Sequence, residues 1–279
     1  MSIRIITDSV SDIPKSISNE LNIRVVPLSV NFEDKVYKDG VDINNEEFFN
    51  KLISSKKLPR TSQVTPGEFI NVFKEELLEH EFLIVILMSS KLSGTYNAAI
   101  KAKEYINSDK IVIIDSKAIS FGYGMIVIEA ARMVINGKLE VEVIDKIKYM
   151  VRNMQYFFVV DTLEYLLKGG RLSKTEAVIG KILNVKPIIT IVDGQLKAID
   201  KVRGRKKAFK WIFNWIDQNK IDLSDKQIGI YHATSKENLN ILRSAIEKNY
   251  TFKEIIESEV GSVVGTHAGP GCLAISFLK

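Results

Sequence analysis

The sequence contains few of the residues that bind metals or form cross-links. It has one cysteine, Cys272, in 279 residues, which excludes an internal disulfide and suits a reducing compartment. The three histidines are widely separated and leave no ligand spacing for a metal centre. We therefore expect neither a disulfide framework nor a metal or other cofactor.

Long apolar runs and targeting signals are also lacking. The longest apolar run, Phe82 to Met88, is too short to cross a membrane and fits a buried strand. The first residues, Met1 to Ile6, lack the basic region and apolar core of a signal peptide. Together with the single cysteine, these observations predict a cytoplasmic protein.

Charge of one sign is not in large excess. The net charge is +5, and lysine and glutamate are scattered along helical segments, which is typical of a solvated surface. Nucleic-acid binding needs a localised basic patch, and the one candidate is Arg203 with Arg205 to Lys207. Such clusters are more often solvated faces, so we expect no nucleic-acid partner.

The chain length favours two packed lobes over a single core. In the first half, short apolar strands alternate with helical patterns, which predicts an α/β lobe with a mostly parallel sheet. The predicted strands are Ile3 to Ile6, Arg24 to Phe32, Phe82 to Met88 and Ile111 to Ile114. The predicted helices include Pro66 to Glu79, Thr95 to Asn107 and Phe121 to Asn136, the last ending at Gly137.

The second half has a different pattern. Pro187 to Val192 and Gln195 to Val202 flank an Asp-Gly pair, which favours a two-residue hairpin turn. Three further strands are predicted at Gln227 to His232, Phe252 to Val260 and Cys272 to Leu278. We predict a second α/β lobe with a mixed sheet, and we place the lobes at residues 1–155 and 156–279.

Polar residues follow three of the predicted strands in the first lobe. Ligands of open α/β sheets bind outside the carboxyl ends of the strands, so these side chains mark the expected ligand edge at the lobe junction. Thr61 and Ser62 lie just before a helix whose start, Thr65 to Glu68, has the pattern of a capping box with proline at its first position. These two hydroxyls are not needed for that cap and could contact an anion or simply belong to a polar loop.

A second polar loop, Ser89 to Thr95, joins a predicted strand to a predicted helix. Ser93, Gly94 and Thr95 stand at the start of that helix, where unpaired N–H groups favour either a helix cap or an anion site. The glycine and lysine spacings of a Walker loop and of a G-x-S-x-G elbow are absent.

Two basic positions lie in the second lobe. Arg171 follows a short predicted helix that ends at two glycines, and Ser173 to Glu176 matches a capping box for the next helix. Arg203 follows the predicted hairpin. Each guanidinium could cap carbonyls, remain solvated, or face an anion or a partner.

The segment Gly265 to Gly271 places His267 among three glycines and a proline. Glycine allows close approach of a ligand, and imidazole titrates near neutrality, so His267 is either a ligand contact or a turn residue. Ser93 with His267 could also form a nucleophile–base pair of a serine hydrolase acting on acyl esters, although no orienting acid is identifiable. Neutral hydroxyls with one imidazole suit hydrogen bonding of a carboxylate that is later handed over, whereas a fixed arginine would hold it more tightly.

Six of these motifs, in this order along residues 7 to 271, resemble the DegV family. They are Thr7-Asp8-Ser9; Thr61-Ser62-Gln63 with Pro66 to Phe69; Ser89-Ser90 with Leu92 to Tyr96; Ile114-Asp115-Ser116; Leu163 to Leu166 with Gly169-Gly170-Arg171; and Gly265-Thr266-His267 with Gly269 to Gly271. No single motif is decisive, but the ordered set is specific and covers almost the whole chain.

The resemblance implies a two-lobed bacterial protein that holds one long-chain fatty acid, with the acyl chain in a buried tunnel. Around the carboxyl group it implies Thr61, Ser62, Ser93, Gly94, Thr95 and His267. It further implies a separate ATP-dependent fatty acid kinase that makes acyl phosphate for phospholipid synthesis, so that this chain presents the substrate without catalysis. Arg171 and Arg203 match positions tied to kinase engagement, with Arg205 an alternative to Arg203. A monomer with transient contact to the membrane surface completes these expectations.

Overall fold

The structure is a computed structural model and describes residues 2–33, 35–172 and 184–279. The predicted capping box at Ser173 to Glu176 lies outside these residues. In the first lobe, the strands are β1 (Ile3–Asp8), β2 (Arg24–Val26), β3 (Ser29–Asn31), β4 (Val36–Lys38), β5 (Arg60–Ser62), β6 (Phe82–Leu87) and β7 (Ile111–Asp115). The helices are α1 (Lys15–Glu20), α2 (Asn45–Ser54), α3 (Pro66–Glu79), α4 (Thr95–Ile106), α5 (Phe121–Ile135) and α6 (Glu140–Asn153).

The remaining elements belong mainly to the second lobe. Its strands are β8 (Met154–Val159), β9 (Val185–Val192), β10 (Gln195–Arg203), β11 (Gln227–His232), β12 (Glu254–Glu259) and β13 (Leu273–Leu278). Its helices are α7 (Glu164–Lys168), α8 (Arg205–Gln218), α9 (Lys236–Asn249) and α10 (Ser262–Ala268). The division between lobes at residue 155 stays a prediction, and we use N-terminal lobe for residues 1–155 and C-terminal lobe for 156–279.

The N-terminal lobe contains a parallel sheet of four strands in the order β2-β1-β6-β7. The strand β6 is buried along nearly its whole length, which explains its unbroken apolar sequence. Because the strands are parallel, the segments after β1, β6 and β7 all lie at the same edge. The predicted mostly parallel sheet is confirmed, and this edge faces the other lobe through the loop after β6.

The predicted strand Arg24 to Phe32 is wrong as a single element. It is divided at Pro27 and Leu28 into β2, which joins the parallel sheet, and β3, which joins a small antiparallel sheet in the order β4-β3-β5. Proline has no N–H for a ladder, and the N–H of Leu28 donates to Ser9 Oγ instead. The small sheet was not predicted, and its strand β5 carries Thr61 and Ser62.

The C-terminal lobe contains a mixed sheet of six strands in the order β10-β9-β8-β13-β11-β12, as predicted for its class. Only β11 and β12 pair in parallel; the other neighbours are antiparallel. The predicted hairpin is present, with Asp193 at φ 49° and Gly194 at φ 81° in its two-residue turn.

The helix α5 packs between the two large sheets. It contacts β1 of the parallel sheet and β8, β11 and β13 of the mixed sheet. Ten of its fifteen residues are buried, which matches its almost uniformly apolar sequence. One continuous hydrophobic core therefore joins the lobes, and a smaller core lies on the outer face of the mixed sheet, under α8 and α9.

The segment around His267 is partly helical, although its glycines predicted a turn. Ser262 to Ala268 form the helix α10, and its residues up to His267 are buried. Gly265 lies inside this helix. Glycine is required at this position because a Cβ there would come 2.7 Å from ring carbons of both Phe48 and Phe49 on α2. Gly265 therefore reflects close packing of two helices. Gly269 and Gly271, which follow the helix, have positive φ angles that favour glycine.

Candidate functional site

A cavity of about 290 Å³ lies at the junction of the lobes. Its lining combines hydroxyl, amide, imidazole and guanidinium groups with apolar side chains. The polar lining residues are Thr61, Ser62, Gln63, Ser93, Gly94, Arg171 and His267. The apolar lining residues are Leu28, Met88, Leu92, Ile119, Val263 and Val264. The cavity therefore combines hydrogen-bonding groups with apolar surface.

Thr61 and His267 meet inside this cavity. Thr61 lies on β5 and His267 in the last turn of α10, and Thr61 Oγ1 is 3.0 Å from His267 Nε2. The imidazole is 8% exposed. Its burial, and secondarily the positive charge of Arg171, lower the pKa of His267 to about 4. The side chain is consequently neutral at physiological pH.

The other ring nitrogen of His267 indicates its tautomer. Nδ1 is buried and has no hydrogen-bond partner among the described residues, and it lies against Gly169, where a Cβ would collide with it. A buried N–H without an acceptor is rarer than an unpaired acceptor, so we infer that the proton resides on Nε2. Nε2–H then donates to Thr61 Oγ1, which leaves the hydroxyl proton of Thr61 free for a ligand.

The polar loop Ser89 to Thr95, here called the ligand loop, brings Ser93 and Gly94 to the cavity. Ser93 Oγ lies 2.9 Å from Thr95 Oγ1 and accepts a weaker hydrogen bond from the N–H of Thr95. Gly94 is the N-cap residue of α4 and makes no side-chain cap. Thr95 is fully buried and is not part of the cavity wall, so its hydroxyl supports Ser93 rather than contacting a ligand.

Ser62 is placed differently from Thr61. Side chains alternate along a strand, and the exposed Ser62 hydroxyl accepts a hydrogen bond of 2.7 Å from Asn31 Nδ2 on β3. Ser62 still belongs to the cavity lining, but its hydroxyl is engaged away from the Thr61–His267 pair. Of the predicted head-group residues, Thr61, Ser62, Ser93, Gly94 and His267 line the same cavity, and Thr95 does not.

Arg171 lies at the cavity rather than only on the outer surface. Its Nη1 donates to the Gly169 carbonyl at 2.8 Å, and its Nε donates to the Leu92 carbonyl at 3.3 Å, so it bridges the two lobes. Burial lowers its pKa. No carboxylate of the described residues forms an ion pair with it. The head-group site is thus not made only of neutral donors, which differs from the expectation that no fixed cation would hold a carboxylate there.

Arg203 and Arg205 have different surroundings. Arg203 is exposed at the end of β10 and lies outside the cavity. Arg205 donates to Asp161 Oδ1 at 2.6 Å and to Ser235 Oγ at 3.2 Å. Since Asp161 also pairs with Lys186, Arg205 belongs to a charge network, whereas Arg203 forms no ion pair with a described residue.

Three buried carboxylates lie outside the lining of this cavity and were not predicted as part of the site. Asp12 Oδ1 accepts from the N–H of Gly261, and Asp39 Oδ1 accepts from the N–H and Oγ of Ser262, so both hold the start of α10 to the N-terminal lobe. Asp8 accepts from Tyr123 and from backbone N–H groups. Burial raises the pKa of all three, that of Asp8 to about 6. The position of Asp8 at the end of β1 could have indicated its importance from the sequence. Asp39 gave no such signal, because its contacts with Ser262 span more than 200 residues of sequence.

Among the described residues, Ser93 and His267 are not paired as in a serine hydrolase centre. Ser93 Oγ is hydrogen-bonded to Thr95, and the His267 ring is hydrogen-bonded to Thr61. No carboxylate of the described chain contacts His267 Nδ1 to orient it. Within the same residues, no cluster of potential metal ligands was found, and no helix has the length and apolar character needed to cross a bilayer.

Comparison with known proteins shows similarity to the DegV family along nearly the whole chain. A family model described as an uncharacterised protein of the DegV family matches residues 2–279. A DegV domain-containing protein of Caldanaerobacter subterraneus subsp. tengcongensis is 42% identical over 275 residues, covering 99% of this chain and 98% of that protein.

Two solved structures match this chain over almost its whole length. A DegV family protein of Thermus thermophilus, described for its fatty acid binding, matches with a TM-score of 0.93 and 30% identity over 100% of both chains. DegV of Bacillus subtilis, described as a fatty acid binding protein, matches with a TM-score of 0.89 and 30% identity over 100% of this chain and 99% of that one. This chain therefore belongs to the DegV family, as its ordered motifs predicted.

Proposed function

We propose that this protein binds one long-chain fatty acid, with the carboxyl group at the junction cavity and the acyl chain along its apolar wall. The observation that carries the proposal is the Thr61–His267 pair, which lines one cavity together with Ser93 and with several apolar side chains. The fatty acid binding ascribed to the similar proteins of Thermus thermophilus and Bacillus subtilis supports it.

The two ends of the ligand contribute differently. Each buried CH₂ group adds roughly 0.8 kcal/mol, so the acyl chain supplies most of the affinity. The head group is oriented by the hydroxyls of Thr61 and Ser93, and Ser62 and Gly94 also line the proposed carboxyl surroundings. Thr95 lies outside this lining and holds Ser93 through its hydroxyl. Arg171 adds a half-buried positive charge that favours the ionised carboxylate over the neutral acid.

The protein presents this carboxyl group to a partner and has no catalytic role of its own. The proposed partner is an ATP-dependent fatty acid kinase that forms acyl phosphate for bacterial phospholipid synthesis. Exposed Arg203 is the proposed partner contact, while the position of Arg171 suits contact with both ligand and partner. Such a carrier would act in the cytoplasm as a monomer, with transient contact to a membrane surface when it loads.

Lipid extraction tests the proposal directly. We expect mass spectrometry of an organic-solvent extract of the purified protein to reveal fatty acid at near one-to-one stoichiometry. If the protein is purified empty, it should take up added oleate or palmitate at the same ratio. A protein that carries no fatty acid and takes up neither would overturn the proposal. Labelling of Ser93 by a fluorophosphonate probe, with turnover of an acyl ester, would instead support the hydrolase.

A further inference from the structure

The tip of the β9–β10 hairpin reaches from the C-terminal lobe to the ligand loop. The carbonyl of Gly194 accepts a buried hydrogen bond of 2.7 Å from Ser89 Oγ. Gly194 has φ 81°, and a Cβ at this position would lie 2.6 Å from the same Oγ atom. The tip therefore fits against the loop only with glycine at this turn position.

Ser89 in turn holds the backbone of the ligand loop. Its carbonyl accepts from the N–H groups of Leu92 and Ser93, at 3.0 and 3.2 Å. Its hydroxyl oxygen accepts from the N–H of Lys91 at 3.2 Å, and its own N–H donates to the Ala118 carbonyl. Ser89 is fully buried. A shift of Ser89 consequently moves Ser93.

We propose that the Ser89–Gly194 contact is an inter-lobe latch that positions Ser93 at the ligand carboxyl group. Neither residue belongs to the cavity lining, so both act through the ligand loop as positioning residues. The latch rests on the proposed function, because it assigns a role to the hairpin in holding the bound head group. Arg171 also contacts the loop, through the Leu92 carbonyl. Loss of the latch should therefore increase the motion of the loop while its contact with the C-terminal lobe at Leu92 remains.

Carboxyl-¹³C-labelled oleate provides the test, because the chemical shift of the bound carboxyl carbon reports on its hydrogen bonding. The variants are Ser89→Ala, Gly194→Ala and, as the reference for a lost head-group contact, Ser93→Ala. We expect all three to retain near one-to-one oleate binding. The bound resonance of Ser89→Ala and Gly194→Ala should move from the wild-type position towards that of Ser93→Ala, and oleate should dissociate about fivefold faster, as expected for one lost hydrogen bond.

Gly137→Ala is the matched control for backbone strain. Gly137 has φ 75°, but a Cβ there meets nothing within 4 Å, so this variant should lower the urea-unfolding free energy and leave the oleate resonance unchanged. The double variant Ser89→Ala/Gly194→Ala removes the collision with Oγ and should move the resonance no further than Ser89→Ala does.

The outcomes separate the latch from the proposed function. If wild-type protein binds oleate and Ser93→Ala shifts the resonance, but both latch variants keep the wild-type resonance, the latch is wrong. If the wild-type protein binds no oleate, the proposed function itself fails. A resonance in the latch variants that matches Gly137→Ala would assign Ser89 and Gly194 to stability alone.

Discussion

His267 and Thr61 meet across the lobe junction, with the imidazole Nε2 atom 3.0 Å from Thr61 Oγ1. The contact depends on two elements from distant parts of the chain, the edge strand β5 and the short helix α10. Because Nε2–H donates to Thr61, the threonine hydroxyl can donate its own proton to a carboxylate. This arrangement fits the proposed contact of Thr61 with a ligand carboxylate.

Replacement of His267 by alanine should affect the head group more than the affinity. We expect oleate affinity, measured by calorimetry, to fall by less than about tenfold, since one hydrogen bond contributes about 1 kcal/mol and the acyl chain dominates. Ordering of the carboxyl group, measured by ¹³C NMR, and phosphoryl transfer by a kinase partner should fall further. Equal losses of affinity and transfer would contradict this division between chain and head group.

The pH dependence of folding should reveal the neutral state of His267. Its pKa falls from an ordinary value of 6.5 to about 4 in the folded protein. Between these values the unfolded chain binds the proton and the folded chain does not, so this residue's contribution to stability is lost as the pH falls. Urea unfolding should show about 2 kcal/mol more loss between about pH 7 and pH 4.5 for the wild type than for His267→Gln. Parallel pH profiles would indicate an ordinary pKa.

The sequence predicts residues that line the candidate site better than it predicts their arrangement. Thr61, Ser93 and His267 stand beside strand or helix ends, and such positions can be recognised from local patterns. The helix α10 was missed because it is short and because glycine, which lowers helix propensity, is required there by Phe48 and Phe49.

Contacts made over long sequence separations account for the rest. The division of Arg24 to Phe32 between two sheets follows from pairing with β1 and β5, and only Pro27 indicates it locally. Arg171 enters the cavity because Leu92 and Gly169 supply carbonyls from both lobes. No local pattern encodes these pairings, since they depend on how the two sheets pack around α5.

Asp39 should be required for the docking of α10. Its carboxylate accepts from the N–H and Oγ of Ser262 at 3.0 and 2.6 Å, and both donors are buried. We expect Asp39→Ala to lower the urea-unfolding free energy by about 2 kcal/mol or more, because two buried donors lose their acceptor. Asp42→Ala is the matched control, since Asp42 accepts a backbone N–H at the exposed surface and should cost less than about 1 kcal/mol. Equal costs would argue against this anchoring role.

Tyr123 should lower the pKa of Asp8. Burial raises the pKa of Asp8 to about 6, and the Tyr123 hydroxyl, which donates to Oδ1 at 2.7 Å, opposes that rise. Tyr123→Phe should therefore move the Asp8 pKa above about 6 in a carboxyl ¹³C titration. Because the folded pKa of Asp8 exceeds its unfolded value, the contribution of this group to stability grows as the pH falls through the folded pKa. In Tyr123→Phe this growth should begin at a higher pH than in the wild type. Tyr231→Phe, whose hydroxyl contacts Ser276, should leave the Asp8 pKa unchanged.

Gly265→Ala should destabilise the protein although alanine favours helices. The added Cβ would lie 2.7 Å from Phe48 Cε1 and Phe49 Cζ, so α10 or α2 must shift, at a cost of about 1–3 kcal/mol in unfolding free energy. Gly67→Ala is the control: it also lies in a helix, meets nothing within 4 Å, and should be neutral or stabilising by up to about 1 kcal/mol. Since α10 carries His267, only Gly265→Ala should also displace the bound carboxyl-¹³C oleate resonance. If Gly265→Ala is destabilised but keeps the wild-type resonance, α2 has shifted instead of α10, and the predicted displacement of His267 is wrong.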